Sequence, residues 1–298
     1  MKNYVITGSI GHISKPVAAG LVKEGKNVSI ITSNADKVNE IEALGAKALV
    51  GSVTDKVFLN KAFQGADVVY TMIPPIWQTN NWRASQQEVA ANYTEAIKSN
   101  GVKYVVNLSS IGAHLGNGAG PVDGVADLEK LLNQVDGLHV KHLRPSSFYY
   151  NFFNQIPMIK QAGIMGANFG TDKIALVHTD DIAAVALEEL KNLNFTGNSV
   201  RYIVSDERTG AEVAKVLGDA IGKQIPWVVF SDEEQKQGLL SAGLPETHAQ
   251  AFTQMGVALR NGKMQEELLK VRPAFGRHKL EDFAKEFKKA FGPIEVAQ

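Results

Sequence analysis

The chain has 298 residues, 44% of them apolar, so it can bury a large core, and its composition argues against wholesale disorder. Its 31 Lys and Arg residues balance 31 Asp and Glu residues, which argues against a general nucleic-acid binder. With no cysteine, disulfides, thiolate metal sites and cysteine nucleophiles are all excluded.

No apolar run reaches the roughly 18 residues of a membrane span, and no membrane partner is expected. The opening "MKNYVITG" reads as a strand with no charged leader, so a cytoplasmic location is expected. Apolar runs follow at Tyr4–Thr7, Val28–Thr32, Ala48–Val50, Val68–Met72, Tyr104–Leu108 and Val140–Leu143. Helix-length stretches at Val17–Lys23, Lys37–Leu44, Val57–Phe63 and Ala84–Lys98 separate them. This alternation predicts an α/β fold with a doubly wound parallel sheet.

After Leu143 the rhythm changes to the aromatic, proline-interrupted "RPSSFYYNFFNQIPMIKQAGIMG". A strand and helix follow in "KIALVHTDDIAAVALEELK", with Thr179 or Asp180 as the expected cap. Another strand at Tyr202–Val204 precedes a helix from about Gly210 to Ile221. The last helix sets Leu280, Phe283, Ala284, Phe287 and Phe291 on one face. Residues 1–145 with about 172–205 are expected to form a nucleotide-binding domain. Residues of about 146–171 with 206–298 would form a smaller, mainly helical substrate domain.

Ligands of such sheets sit beyond the carboxyl ends of the strands. The first strand runs into "GSIGHIS", where Gly8 supplies a tight turn and Gly11 lets backbone amides approach a pyrophosphate. Gly8, Ser9, Ile10, Gly11, His12 and Ile13 are therefore candidate cofactor residues, with Ser14 in place of a third glycine. An NAD-selective site carries an acid at the end of the second strand; here Ser33, Asn34 and Lys37 stand instead. They suit a 2′-phosphate, so NADP(H) is favoured and NAD(H) is kept as the alternative.

The order "VITGSIGHIS", "GVKYVVNLSSIGA", "LRPSSFYYN", "KIALVHTDDIAAVA", "LEDFAKEF" resembles the NmrA-like branch of atypical short-chain dehydrogenases along almost the whole chain. The resemblance implies a Rossmann domain, a small C-terminal domain and a cleft between them. It places Ile73 and Pro74 beside the cofactor, Ser109 and Ser110 after the fifth strand, and Phe148 near the nicotinamide. It covers quinone and isoflavonoid reductases and also non-catalytic NADP-binding regulators.

Short-chain dehydrogenases of the usual kind pair a tyrosine with a lysine four residues on, which lowers the phenol pKa. Aligning Glu129 and Leu132 with the family's glutamate-x-x-leucine puts Val125 at the lysine place and Pro121 at the tyrosine place. No Tyr-x-x-x-Lys occurs elsewhere in the chain. A quinone-like or enone-like acceptor stabilises its own charge and needs less protein acid. Trp77, Phe148, Tyr149 and Asn151 are candidate pocket residues for such a small molecule, with Tyr149 or Tyr150 as candidate proton donors. The alternatives are an NADP(H)-sensing regulator and, last, an epimerase or carbonyl reductase. His139 and His142 fall on opposite strand faces and read as structural, so no metal is expected.

Overall fold

Parallel strands covered on both faces must be apolar along most of their length, and the central runs at Val68–Met72 and Tyr104–Leu108 meet that demand. In the computed structural model, which describes residues 2–77 and 79–292, the first six apolar runs form β1 (Asn3–Ile6), β2 (Asn27–Thr32) and β3 (Lys47–Val50). They continue as β4 (Val68–Met72), β5 (Tyr104–Leu108) and β6 (His139–Pro145). Short strands follow: β7 (Ser147–Phe148), β8 (Met165–Ala167), β9 (Ile174–Val177), β10 (Asn198–Ile203), β11 (Asp206–Arg208) and β12 (Trp227–Val229).

Seven strands pair in parallel in the order β10-β6-β5-β4-β1-β2-β3. The chain order reverses between β1 and β4, the topological switch point of a Rossmann-like sheet. Helices α1 (Ser14–Lys23) and α2 (Val38–Ala43) cover one face; α3 (Lys56–Ala62), α4 (Trp82–Ser99) and α5 (Val122–Leu132) cover the other. After α6 (Ile156–Ala162), α7 (Thr179–Asn192) returns to the α1 face, where Ile182, Ala186 and Leu190 join its core.

The C-terminal part is mainly helical: α8 (Gly210–Ala220), α9 (Asp232–Ser241), α10 (Glu246–Arg260), α11 (Glu266–Val271) and α12 (Leu280–Phe291). The expected face of α12 is buried in full, packing Phe283 and Phe287 against Val213, Leu217 and Tyr149. Strand β9 does not enter the large sheet; it pairs with β7 and β11 instead. The cap of α7 also differs from expectation. His178 Nδ1, not Thr179 or Asp180, accepts the Asp180 amide at 3.1 Å. No helix among the described residues is long and apolar enough to cross a membrane.

His142 is buried in β6 and bonded at both ring nitrogens. Asn107 Nδ2 lies 3.1 Å from Nδ1 and Asn133 Oδ1 lies 2.9 Å from Nε2, while Thr71 Oγ1 donates to Asn107 Oδ1. This chain fits a neutral ring, and burial pushes the imidazole pKa down to about 4. Between about pH 6.5 and 4 the unfolded chain binds a proton that the folded one refuses, so this stability is complete above the window and lost as pH falls through it. The loss is on the order of 3 kcal/mol. Urea unfolding at pH 7 and pH 4.5 checks this: His142→Gln is expected to flatten the pH dependence, whereas an unchanged slope would contradict the assignment.

Candidate functional site

The turn after β1 is closed by its own residues. Gly8 has φ of +86°, and a Cβ there would lie 2.6 Å from Ser14 Oγ and 3.0 Å from Met72 Cγ. Ser14, at the third-glycine place, is buried and donates its hydroxyl to the Thr7 carbonyl at 2.9 Å. Ser9, at φ +55°, donates its amide to Ile31 O at 3.1 Å and its hydroxyl to Thr32 Oγ1 at 2.9 Å. The turn is thus hung on the end of β2. Among the described residues the amides of Ile10, His12 and Ile13 have no hydrogen-bond acceptor. Free amides at the start of α1 make a cradle for an anion.

A cleft of about 680 Å³ opens from this turn, lined by Gly8, Ser9, Ser33, the Gly51–Thr54 stretch after β3, and Tyr93. Ser33 is part of the wall. Asn34 and Lys37 are not: Asn34 Oδ1 accepts the Asp36 amide, and Lys37 Nζ lies 3.6 Å from Glu40 Oε2. Ile10 and Ile13 send their side chains into the core, so only their backbones face outward. The His12 ring meets Tyr150, with centroids 4.5 Å apart. No carboxylate lines the cleft among the described residues. The Gly51–Thr54 wall was missed from sequence, although the rule that loops after strands carry ligands points to it.

A second cavity, of about 340 Å³, lies beyond the ends of β4, β5 and β6. Ile73, Pro74, Trp77, Ser110, Phe148 and Asn151 line it, and Pro121 and Val125 form an apolar wall at the start of α5. Both hollows share Pro74, Pro75, Ile76 and Trp77, so they meet along one loop. Among the described residues, none that lines it carries a carboxylate, ammonium or guanidinium group.

Helix α10 supplies a wall that sequence reading gave no reason to expect. His248 Nε2 meets the Ile76 carbonyl at 3.1 Å, tethering the shared loop to α10. Trp77 stacks beside both His248 and Phe252, at 6.1 Å in each case.

Two tyrosine expectations are corrected. Tyr149 is 0% exposed, stacked on Phe283 at 5.6 Å, and absent from the cavity wall; burial pushes its phenol pKa well up. Tyr150 is 41% exposed but lies over His12 and against Phe153, outside the cavity. The cause is local: Tyr149–Gln155 is a 3-10 helix, whose third residues eclipse, so Tyr149 and Phe152 turn inward together.

Ser109 is also diverted. Its hydroxyl donates to Glu129, which is buried and held by Arg144 through Nε at 3.0 Å and through Nη2. Burial opposes the Glu129 charge, but Arg144 outweighs it and holds the carboxyl below its usual range. Arg144 of "LRP" and Glu129 of α5 thus form one clamp that fixes α5 against the ends of β5 and β6, leaving Ser110 to face the cavity.

The class defined by this geometry is a Rossmann-like α/β protein with an anion cradle and an apolar cavity side by side. Residues 1–285 match the model of the NmrA-like family, and the chain belongs to that family. It is 26% identical over 253 residues to an NAD(P)H azoreductase of Xenophilus azovorans, covering 84% of this chain and 85% of that one. Quinone oxidoreductase 2 of Escherichia coli strain K12 is 24% identical over 259 residues, 86% and 88% of the two chains. The fold matches the NADPH-dependent quinone oxidoreductase of Escherichia coli solved with NADPH, with a TM-score of 0.78 at 22% identity over 95% and 99% of the chains. It also matches the Citrobacter sp. triphenylmethane reductase solved with NADP(H), TM-score 0.77 at 18% identity over 97% and 99%.

Gly8→Ala is expected to cost about 2 kcal/mol or more, from left-handed backbone strain plus the Ser14 clash, measured by urea unfolding. Wild-type stability in that variant would contradict the turn geometry. His248→Phe keeps the stack but removes the tether. Hydrogen exchange at the amides of Ile73, Ile76 and Trp77 is expected to quicken about five-fold, the equivalent of one lost hydrogen bond; no change would show that the tether is idle.

Proposed function

We propose that the protein is an NADP(H)-dependent reductase that delivers a hydride to a flat, neutral, quinone-like or enone-like molecule. The observation that carries this reading is the shared loop Pro74–Trp77, which joins the cleft below the anion cradle to an apolar cavity. A dinucleotide lying along the first would bring its far end to the second.

The residues present fit such a cofactor. Gly8 leaves room that a Cβ would fill, and the amides of Ile10, His12 and Ile13 are free to donate to a pyrophosphate. Ser33 stands where an acid would select the unphosphorylated ribose, which supports NADP(H) over NAD(H). The NADPH-bound and NADP(H)-bound relatives of this fold support the same choice.

A reduced nicotinamide, when bound, supplies the hydride. The protein contributes shape and neutral hydrogen bonding: Trp77, Phe148 and Phe252 confine a planar acceptor, while Gln86, Ser110 and Asn151 offer donors for its oxygens. The reduced acceptor takes its proton from water, because Pro121 and Val125 hold the wall where a tyrosine and lysine would act. Quinone and azo compounds, the namesakes of two relatives, accept two electrons on a conjugated frame and suit this arrangement.

The same Pro121 and Val125 favour the second reading, a sensor that binds NADP(H) without turning over. The unobstructed cavity beside Phe148 and Trp77 supports catalysis over it.

The test is NADPH oxidation measured with a panel of quinones and enones. Turnover is expected with at least one quinone, and Trp77→Ala is expected to raise its KM about ten-fold. Tight NADPH binding with no turnover on any acceptor would leave the sensor as the correct reading.

A further inference from the structure

The acceptor cavity does not end at Phe252. A smaller chamber of about 170 Å³ adjoins it, and the two share Ser147, Phe148, Asn151, Phe252 and Met255 as common walls. Its far side is made by Phe169, Leu239 of α9 and Leu259 of α10. The floor is specifically accommodated: a Cβ on Gly256 would fall 1.8 Å from Asn168 Oδ1, and Asn168 Nδ2 is engaged by Asp232 and Thr253. Helices α9 and α10 are further joined by Arg260, which donates to Asp232 at 2.8 and 3.0 Å.

We propose that this chamber is a second subsite, which takes an apolar arm of a few carbons attached to the planar head held in the main cavity. The assignment rests on the reductase reading for the head group, but the chamber's contribution is measured by binding alone. Its walls are mostly carbon and sulfur surface, with the neutral amides of Gln155, Asn168 and Gln235 as their polar part, and Met255 at the shared wall has the unbranched flexibility to admit arms of different width. Each methylene removed from water tightens binding by roughly four-fold. The preferred substrates are therefore alkyl-substituted or aryl-substituted quinones rather than the bare ring.

The experiment uses the full chain with NADP⁺ present, so that no turnover occurs. Dissociation constants of methyl-, butyl- and hexyl-1,4-benzoquinone are read from tryptophan fluorescence quenching. The hexyl compound is expected to bind at least about ten-fold tighter than the methyl compound. Leu239→Trp, which fills the chamber, is expected to bring that ratio below about three-fold, and Leu239→Ala, which enlarges it, to raise the ratio. A ratio near one in the wild type, or a ratio moved by neither variant, would overturn the subsite. Repeating the methyl compound with NADPH separates the two claims: length-dependent binding without oxidation of NADPH rejects the reductase and retains the chamber.

Discussion

The site depends on one backbone constraint, the left-handed turn at Gly8. The chain must leave a buried parallel strand, pass across the sheet's edge and enter α1 without covering the first amides of that helix. A residue with a Cβ would meet both Ser14 and Met72 there. With glycine in place, Ser14 can fold its hydroxyl back on Thr7, and Ser9 can bond the end of β2. Three amides are then left facing the switch point of the sheet. The serine that breaks the triple-glycine spacing is therefore part of the closure, supplying a buried hydrogen bond that glycine could not.

From that turn outward the protein supplies shape more than charge. Among the described residues the two hollows are lined by no carboxylate, lysine or arginine side chain, and the imidazole of His248 is the one ionisable nitrogen in their walls. Glu129 and Arg144 illustrate the division. Glu129 is buried and Arg144 partly so; they are paired and bonded to Ser109 and Tyr202, and they hold α5 so that Pro121, Val122 and Val125 face the cavity. His248 does the corresponding work from the C-terminal part, bonding the loop that both hollows share. A site built this way suits an acceptor that carries its own charge stabilisation.

Much of the fold was legible because parallel strands and amphipathic helices write their burial into the sequence. The runs Val68–Met72 and Tyr104–Leu108 form strands over those same residues, and the apolar stripe of α12 is the buried stripe. The first turn was legible because its glycine spacing follows a strand and opens a helix. Orientation within the aromatic stretch was not legible. Helical or strand periodicity cannot separate Tyr149 from Tyr150, and the 3-10 turn decided it by sending Tyr149 inward with Phe152. Nor could an apolar run say which sheet it joins, as β9 shows by pairing with β7 and β11. The α10 wall was invisible because His248, Phe252 and Met255 come from an ordinary surface-patterned helix whose placement is a tertiary matter.

Calorimetric titration of the purified protein with NADPH and with NADH tests the central claim most directly. The account predicts saturable uptake of one dinucleotide per chain, tighter for NADPH than for NADH. Absence of heat with both coenzymes, in protein shown to be folded, would contradict the cradle and everything built on it.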